Sequence, residues 1–229
     1  MLHNPFRGLK KREWTIWLIS LVTVIVSNLI TGKIDPVTLT ATLIGVTALI
    51  FVARGDVWGQ ILTVLFAVLY SITSFRFQYY GEIITYLGMS APIAAASVVT
   101  WLKNPYEKGK NEVRIRRLSA KDILLLVFAT AAVTTAFYFI LGALGTANLA
   151  VSTLSVATSF LASTLMMLRN SYYAVVYGAN DVVLIVLWVL ASIEDISYLP
   201  MVACFLAFLL NDAYGFISWK RREKKQGLH

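Results

Sequence analysis

The sequence predicts an all-α integral membrane protein with eight transmembrane helices. Of the 229 residues, 58% are hydrophobic and only 14% are charged, and the mean hydropathy is +0.72. Soluble domains carry about 25% charged residues. A membrane-spanning helix needs about 20 mainly apolar residues, and eight stretches approach that length. They are residues 14–31, 36–53, 57–75, 80–102, 122–143, 149–168, 172–191 and 198–219.

The Lys and Arg residues predict the orientation of these helices. With both termini in the cytoplasm, 18 of the 20 Lys and Arg residues lie on the cytoplasmic side, leaving Lys33 and Arg76 outside. Loops rich in Lys and Arg stay in the cytoplasm, so we reject the reverse orientation. The basic stretch before the first helix resembles a signal peptide, but no small-residue cleavage site follows it. We therefore expect a retained first helix.

The net charge of +8 does not indicate nucleic-acid binding, because the basic residues cluster beside apolar segments. The single cysteine, Cys204, excludes an intrachain disulfide. The sequence contains no visible nucleotide-binding loop, metal-ligand cluster or nucleophile–base pair. We expect no cofactor, no metal site and no nucleic-acid partner. The expected partners are the lipid bilayer and a small solute.

A weak internal repeat organises the helices. When Arg54 is placed on Arg169, residues 39–42 fall on 154–157, and Trp101 falls on Trp219 after a three-residue slip. The repeat predicts two parallel three-helix units joined by one helix, with a substrate site between them, as in transporters. The expected divisions are 1–35 (basic segment and extra helix), 36–102 (first unit), 103–148 (solvated basic linker and connecting helix), 149–219 (second unit) and 220–229 (basic tail).

Two polar doublets interrupt the last two apolar segments, at Asn180-Asp181 and Asn211-Asp212. An aspartate near the centre of a membrane helix costs roughly 2.5–3.5 kcal/mol on insertion scales. No Lys, Arg or His lies in the middle of an apolar segment to neutralise these carboxyl groups. Aromatic residues flank both doublets, which predicts a polar site with aromatic walls that is suited to a cationic or ring-bearing solute.

The residues that we expect to bind the solute share a helical face with a doublet or carry polar groups within the first unit. They are Tyr173, Tyr177, Asn180, Asp181, Trp188, Asn211, Tyr214, Gln60, Tyr70 and Tyr86, with Ser90 as a further cavity-facing candidate. The alternative is that the Asn and Asp residues join helices by hydrogen bonds worth ~0.6–2 kcal/mol each. Five tryptophans near span ends are expected to be interfacial anchors. They are Trp14, Trp17, Trp58, Trp101 and Trp219. Glu82 is expected to be a solvated helix cap.

Three motifs between residues 36 and 222 resemble the PnuC family of bacterial vitamin transporters. They are Gly55-Asp56-x-Trp58-Gly59, Tyr79-Tyr80-Gly81-Glu82 and Asn211-Asp212-Ala213-Tyr214-Gly215 with Trp219. The resemblance implies a SWEET-like arrangement of three, one and three helices, a homotrimer, and location in the bacterial inner membrane. It implies nicotinamide riboside as the usual substrate, with thiamine and riboflavin importers as relatives. The nicotinamide riboside members of this family usually carry Trp-x-x-Trp where this sequence reads Tyr172-Tyr173-Ala174-Val175-Val176-Tyr177.

The function indicated is facilitated diffusion of nicotinamide riboside. The resemblance implies that a cytosolic kinase then phosphorylates and traps the solute. Three alternatives stay open: another vitamin, proton-coupled uptake with Asp181 titrating, and an intramembrane aspartyl enzyme that uses Asp181 and Asp212. Against the enzyme, residues 177–181 read Tyr-Gly-Ala-Asn-Asp and lack the Gly-x-Gly-Asp signature of such proteases.

Overall fold

The computed structural model describes residues 4–30, 35–76, 80–146 and 148–227, without the side chains of Arg76 and Tyr80. Lys33 and Tyr79, which the sequence analysis singled out, lie outside the described residues. The described chain is built from α-helices with short connections. They are α1 (Lys11–Ile30), α2 (Pro36–Ala53), α3 (Val57–Arg76), α4 (Tyr80–Thr85), α5 (Ala91–Lys103), α6 (Ala120–Ala143), α7 (Leu149–Met167), α8 (Tyr173–Glu194) and α9 (Leu199–Lys225).

Eight segments of the described chain are long and apolar enough to cross a membrane. Their bounds agree with the predicted spans to within a few residues over most of their length. The main differences are at α1, which begins at Lys11, and α9, which continues to Lys225. The prediction of an eight-span, all-α membrane protein is therefore confirmed.

The fourth span is not one regular helix, because a π-helical segment at Tyr86–Ser90 separates α4 from α5. Pro92 is the second residue of α5. Proline has no N–H to donate, and its ring clashes with the carbonyl four residues earlier, here that of Gly88. Single π-helical turns inside helices are frequently found at functional sites. The sequence analysis did not predict this interruption.

The helices pack around a centre formed mainly by α2, α3, α8 and α9. Helix α9 contacts α1, α2 and α8, and α7 lies between α8 and α6. Helix α6 packs chiefly on α7 and leaves large apolar side chains exposed, such as Leu125 and Phe128. Such a surface is stable against lipid tails rather than water. The connecting helix therefore lies at the periphery of the bundle.

The Gly55-Asp56-x-Trp58-Gly59 motif makes the tight turn between α2 and α3. Gly55 has a φ of 67°, which residues with a side chain rarely adopt. Asp56 accepts hydrogen bonds from the Trp58 N–H (3.0 Å) and the Asn111 amide (3.4 Å). Burial raises the pKa of the Asp56 carboxyl, and these two bonds oppose that shift. A Cβ at Gly59 would lie 2.5 Å from the Val52 nitrogen, so only glycine allows the helices this close.

The segment between α5 and α6 was predicted to be a solvated linker, and its basic residues are exposed, but two of its apolar residues are not. Val113 and Ile115 are buried under the bundle. The Val113 N–H donates to the Gly55 carbonyl (2.9 Å), and the Ile115 N–H donates to the Gln226 side chain (2.8 Å). The basic residues alternate with apolar ones here, so the segment can bury one side while its charges stay solvated. It ties the α2–α3 turn to the end of α9.

Trp101 and Trp219 were predicted to be interfacial anchors, but both are buried. The Trp101 indole N–H donates to the Met166 carbonyl (3.1 Å) and that of Trp219 to the Val52 carbonyl (2.9 Å). A buried indole needs an acceptor for its N–H, and here a carbonyl in the last turn of another helix supplies it. Each tryptophan thus joins the end of one predicted three-helix unit to the other predicted unit.

Glu82 was predicted to be a solvated cap, but it is buried and accepts a hydrogen bond from the Tyr70 hydroxyl (3.3 Å). Glu82 lies in the first turn of α4, and this end of the helix is packed inside the bundle. Glu82 is close to a loop in the sequence, which predicted exposure, so its burial was not predicted.

Candidate substrate site

A small, mainly apolar cavity that contains a few polar groups lies where α2, α3, α7, α8, α9 and the π-helical segment meet. Its volume is about 60 Å³, which is small beside the ~300–1,000 Å³ typical of ligand sites. Binding a nucleoside-sized solute would require the surrounding helices to separate. The cavity lies between residues of both predicted three-helix units.

Five of the ten predicted site residues line this cavity. They are Tyr86, Tyr173, Tyr177, Asn180 and Asp181. The four from α8 lie on one side of that helix, since Tyr173 and Tyr177 recur at intervals of three or four residues with either Asn180 or Asp181. Tyr86 comes from the π-helical segment, and Ser90 lies beside it in the cavity wall. The predicted face of α8 and two residues of the fourth span are therefore brought together.

Asn180 is held in place by neighbouring hydroxyl groups. Its side-chain carbonyl oxygen accepts hydrogen bonds from Thr158 (2.7 Å) and Ser159 (3.0 Å), both on α7. These bonds fix the orientation of the amide and direct its N–H₂ donors away from α7. Asn180 is thus both a link between helices and a positioned donor at the cavity, so the two roles weighed for it are compatible.

Asp181 faces Asp212 of α9, with the two carboxyl groups close enough to hydrogen-bond. Both side chains are buried. Sequence reasoning placed Asn211 in the site and left Asp212 out, although adjacent residues on a helix point about 100° apart. The spacing of Phe205, Phe208 and Asp212 gives the signal that was missed, since these three line the cavity together.

Aromatic rings form another part of the cavity wall. Phe66 lies 5.9 Å from Tyr86 and 5.6 Å from Phe208 between ring centroids, and Phe205 lies 5.4 Å from Phe208. The phenylalanines were not among the predicted site residues. Phenylalanine is common in membrane helices, so its identity alone does not separate a cavity wall from lipid-facing packing.

Three predicted residues lie outside the cavity lining. Tyr70 is buried beside it, with its ring 4.3 Å from that of Tyr86. Trp188 belongs to the apolar core near Tyr198. Gln60 is fully buried, and its amide nitrogen and oxygen have no hydrogen-bond partner among the described residues.

The last two predicted residues contact α1 instead of the cavity. The Asn211 amide donates to the Ser20 hydroxyl (2.8 Å) and to the Ala207 carbonyl (2.7 Å). The Tyr214 hydroxyl donates to Glu13 (3.1 Å). Because α1 lies outside the predicted repeat, sequence analysis gave these residues no partner there. They join α9 to the extra helix.

The cavity offers carboxyl groups, an amide, hydroxyl groups and aromatic rings. None of the described residues that line it is Lys, Arg or His. Cations and electron-poor rings are attracted to the faces of aromatic residues, and a nearby carboxylate adds to this attraction. The cavity is therefore the candidate substrate site, and it lies within a bundle whose helices are long and apolar enough to cross a membrane.

Comparison with known proteins agrees with this interpretation. The family model described as "Nicotinamide mononucleotide transporter" matches residues 35–221. The chain belongs to this family. The predicted resemblance to PnuC proteins is confirmed, and the protein is a multi-pass membrane transporter rather than an enzyme. The aspartyl-enzyme alternative is therefore set aside, although Asp181 and Asp212 do lie together.

Two similar members of this family are nicotinamide riboside transporters named PnuC. The protein from Neisseria mucosa is 25% identical over 189 residues, which cover 81% of this chain and 72% of the relative. The protein from Haemophilus influenzae is 23% identical over 182 residues, covering 79% and 77%. A crystal structure of the vitamin B3 transporter PnuC matches with a TM-score of 0.82 at 24% identity, covering 96% of this chain and 94% of that one. The structural match establishes a shared fold.

Proposed function

We propose that this transporter imports nicotinamide riboside and that the cavity between α8 and α9 is its substrate site. The carboxyl pair of Asp181 and Asp212 beside aromatic rings is the observation that carries the proposal. Nicotinamide riboside has a positively charged aromatic ring and an uncharged sugar. The two curated relatives that transport this compound support the same assignment.

The charge of the cavity favours the nucleoside over its phosphorylated form. Nicotinamide mononucleotide carries a phosphate group, which two neighbouring carboxyl groups would repel. No described Lys, Arg or His lines the cavity to offset that repulsion. The nucleoside lacks this group, and its pyridinium ring has the opposite charge to a carboxylate.

We assign roles to the cavity residues from their chemistry. Tyr86 and Tyr177 would stack on the pyridinium ring, and Asp181 with Asp212 would balance its charge. The positioned amide of Asn180 would bond the carboxamide or a ribose hydroxyl. Tyr173 has a buried hydroxyl without a hydrogen-bond partner among the described residues, so it could donate to the substrate once the cavity widens.

We propose that the other predicted residues support the site without lining the cavity. Tyr70 and Trp188 would hold the rings that contact the substrate, and Gln60 would gain a partner as helices move during transport. Asn211 and Tyr214 would anchor α9 against α1. Each has a position outside the cavity that fits such a supporting role.

The proposed transport mode is facilitated diffusion through a bacterial inner-membrane protein with cytoplasmic termini. The family resemblance supports trapping by a cytosolic kinase and assembly as a homotrimer. The proposed divisions are the extra helix (1–35), two three-helix units (36–102 and 149–219), the connecting region (103–148) and the tail (220–229). The crosswise hydrogen bonds of Trp101 and Trp219 support the pairing of these units.

An uptake assay tests both the substrate and the transport mode. The purified chain is reconstituted in liposomes and supplied with labelled nicotinamide riboside, thiamine or riboflavin, with and without a pH gradient. The proposal expects saturable uptake of nicotinamide riboside that the pH gradient does not drive. Preferential uptake of thiamine or riboflavin would reassign the substrate. Uptake that depends on the gradient would replace facilitated diffusion by proton coupling through the buried carboxyl pair.

A further inference from the structure

A second, larger pocket opens where the start of α1 and the end of α9 meet the α2–α3 turn. Its volume is about 580 Å³, so it can accept a group the size of a lipid headgroup or a nucleotide. Seven Lys and Arg side chains line it, against two carboxylates, Glu13 and Glu112. The pocket is thus strongly positive, in contrast to the central cavity.

Both carboxylates already have partners, and they hold two arginines at the pocket. Glu13 lies 3.9 Å from the Arg54 guanidinium and accepts hydrogen bonds from Tyr214 (3.1 Å) and the Lys10 N–H (2.6 Å). Glu112 lies 2.7 Å from the Arg222 guanidinium. The Arg54 and Arg222 side chains are only 18% and 17% exposed. Their guanidinium groups are therefore fixed rather than mobile.

The other five cations of the pocket have no carboxylate within 4.0 Å in the described part of the chain. They are Lys10, Lys11, Arg12, Arg221 and Lys225. Lys11 and Arg12 also begin α1, a helix of 20 residues whose N-terminus already carries partial positive charge. Cations at this end are unfavourable unless an anion neutralises them. Basic residues that served only as a solvated surface would not need to gather in one concave pocket.

The Arg222 guanidinium adds a donor that lacks an acceptor. Its Nε is buried and has no hydrogen-bond partner among the described residues. A guanidinium presents its donors in a planar fork that matches the oxygens of a phosphate group. We propose that this basic pocket binds a phosphate group, supplied either by the headgroup of an anionic lipid or by a soluble phosphorylated molecule.

The charge of the pocket distinguishes it from the proposed substrate site. The central cavity contains a carboxyl pair and no described cation, whereas this pocket contains a large excess of cations. Basic pockets between membrane helices on the cytoplasmic side commonly take phosphate-bearing lipid headgroups. The inference does not depend on which vitamin the central cavity binds, and it can be tested without a transport measurement.

The test uses the full chain and two kinds of probe, soluble phosphate compounds and an anionic lipid. In detergent, the thermal midpoint is followed during titration with inorganic phosphate and with pyrophosphate, because a ligand that binds the folded state raises it. In nanodiscs of phosphatidylcholine with or without phosphatidylglycerol, native mass spectrometry counts the anionic lipids that stay bound. The pocket variant is Lys11→Gln/Arg12→Gln/Arg221→Gln. Its charge-matched control is Lys103→Gln/Lys108→Gln/Lys121→Gln, which changes exposed residues outside the pocket.

We expect saturable binding of at least one probe by the wild-type chain. The pocket variant should bind it at least about tenfold more weakly, as expected for loss of one charge-assisted hydrogen bond, while the control stays close to wild type. Binding of phosphate or pyrophosphate identifies a soluble ligand, and retention of phosphatidylglycerol alone identifies a lipid. Saturable binding of neither probe would overturn the proposal, as would equal weakening in the pocket variant and the control.

Discussion

Asp181 on α8 and Asp212 on α9 face each other within hydrogen-bonding distance inside the bundle. A carboxylate at this place attracts a cationic solute, because charges interact more strongly inside a protein than in water. The described residues around it supply rings and hydroxyl groups but no cation. The site can therefore be tested by changing the charge of this pair.

The substitution Asp181→Asn removes charge while keeping size and hydrogen-bonding capacity. A cationic solute should then bind about tenfold or more weakly, since a hydrogen bond or ion pair to a charged group is worth ~1.5–3 kcal/mol. A neutral vitamin such as riboflavin should lose no affinity. Isothermal titration of the purified variant with both compounds measures the difference. Equal losses for both compounds would assign Asp181 a structural role.

The variants Asn180→Ala and Tyr177→Ala test the amide and the ring separately. Each should weaken nicotinamide riboside binding by roughly ten- to a hundred-fold, because a lost bond to a buried group costs ~1–3 kcal/mol and a desolvated ring contact about 2 kcal/mol. Tyr138→Ala is the matched control, since Tyr138 lies exposed on α6. Affinities like wild type in both folded variants would place the site elsewhere.

Asn211→Ala should affect stability rather than substrate binding. Its amide bonds Ser20 of α1 and lies outside the cavity lining. Losing an interhelical hydrogen bond in a membrane protein costs ~0.6–2 kcal/mol, so the thermal midpoint should fall while the substrate Kd stays unchanged. Thermal unfolding and substrate titration on the same preparation measure both. A large rise in Kd with an unchanged midpoint would return Asn211 to the binding site.

Gly59→Ala should strongly destabilise the fold. The new Cβ would meet the Val52 backbone at 2.5 Å, and backbone cannot move aside as a side chain can. Overpacking of this kind costs typically ~1–3 kcal/mol. The control is Gly178→Ala on α8, where the nearest atom, of Leu209, lies 3.5 Å away. The melting temperature should fall for the first variant only, and equal melting temperatures would contradict the close approach of α2 and α3.

Cysteine labelling in intact cells tests the orientation. Ile196→Cys, in an exposed position between α8 and α9, should react with a membrane-impermeant maleimide. Lys110→Cys, in the segment between α5 and α6, should react only after the cells are opened. Cys204 is buried, so the native background should be low. Reaction at position 110 in intact cells would reverse the topology.

The sequence by itself determined the membrane class, the eight spans and the polar face of α8. Hydropathy and helical periodicity are local properties of the chain, and a bilayer forces each apolar segment to satisfy its own backbone hydrogen bonds. The spans could therefore be predicted without knowing how they pack. The same argument placed Tyr173, Tyr177 and Asp181 on one face, since that depends only on spacing within one helix.

Only the tertiary structure decided which polar side chains meet. Asp212 rather than Asn211 lines the cavity because the rotation of α9 is set by its packing on α1, α2 and α8. Glu13 gives Tyr214 a partner 201 positions away in the chain, and no local pattern encodes such a contact. The 103–119 segment shows the same limit. Its charged residues predicted exposure to solvent, whereas Val113 and Ile115 are buried against the bundle. Burial depends on what the rest of the chain presents to a residue, and periodicity within one segment cannot supply that information.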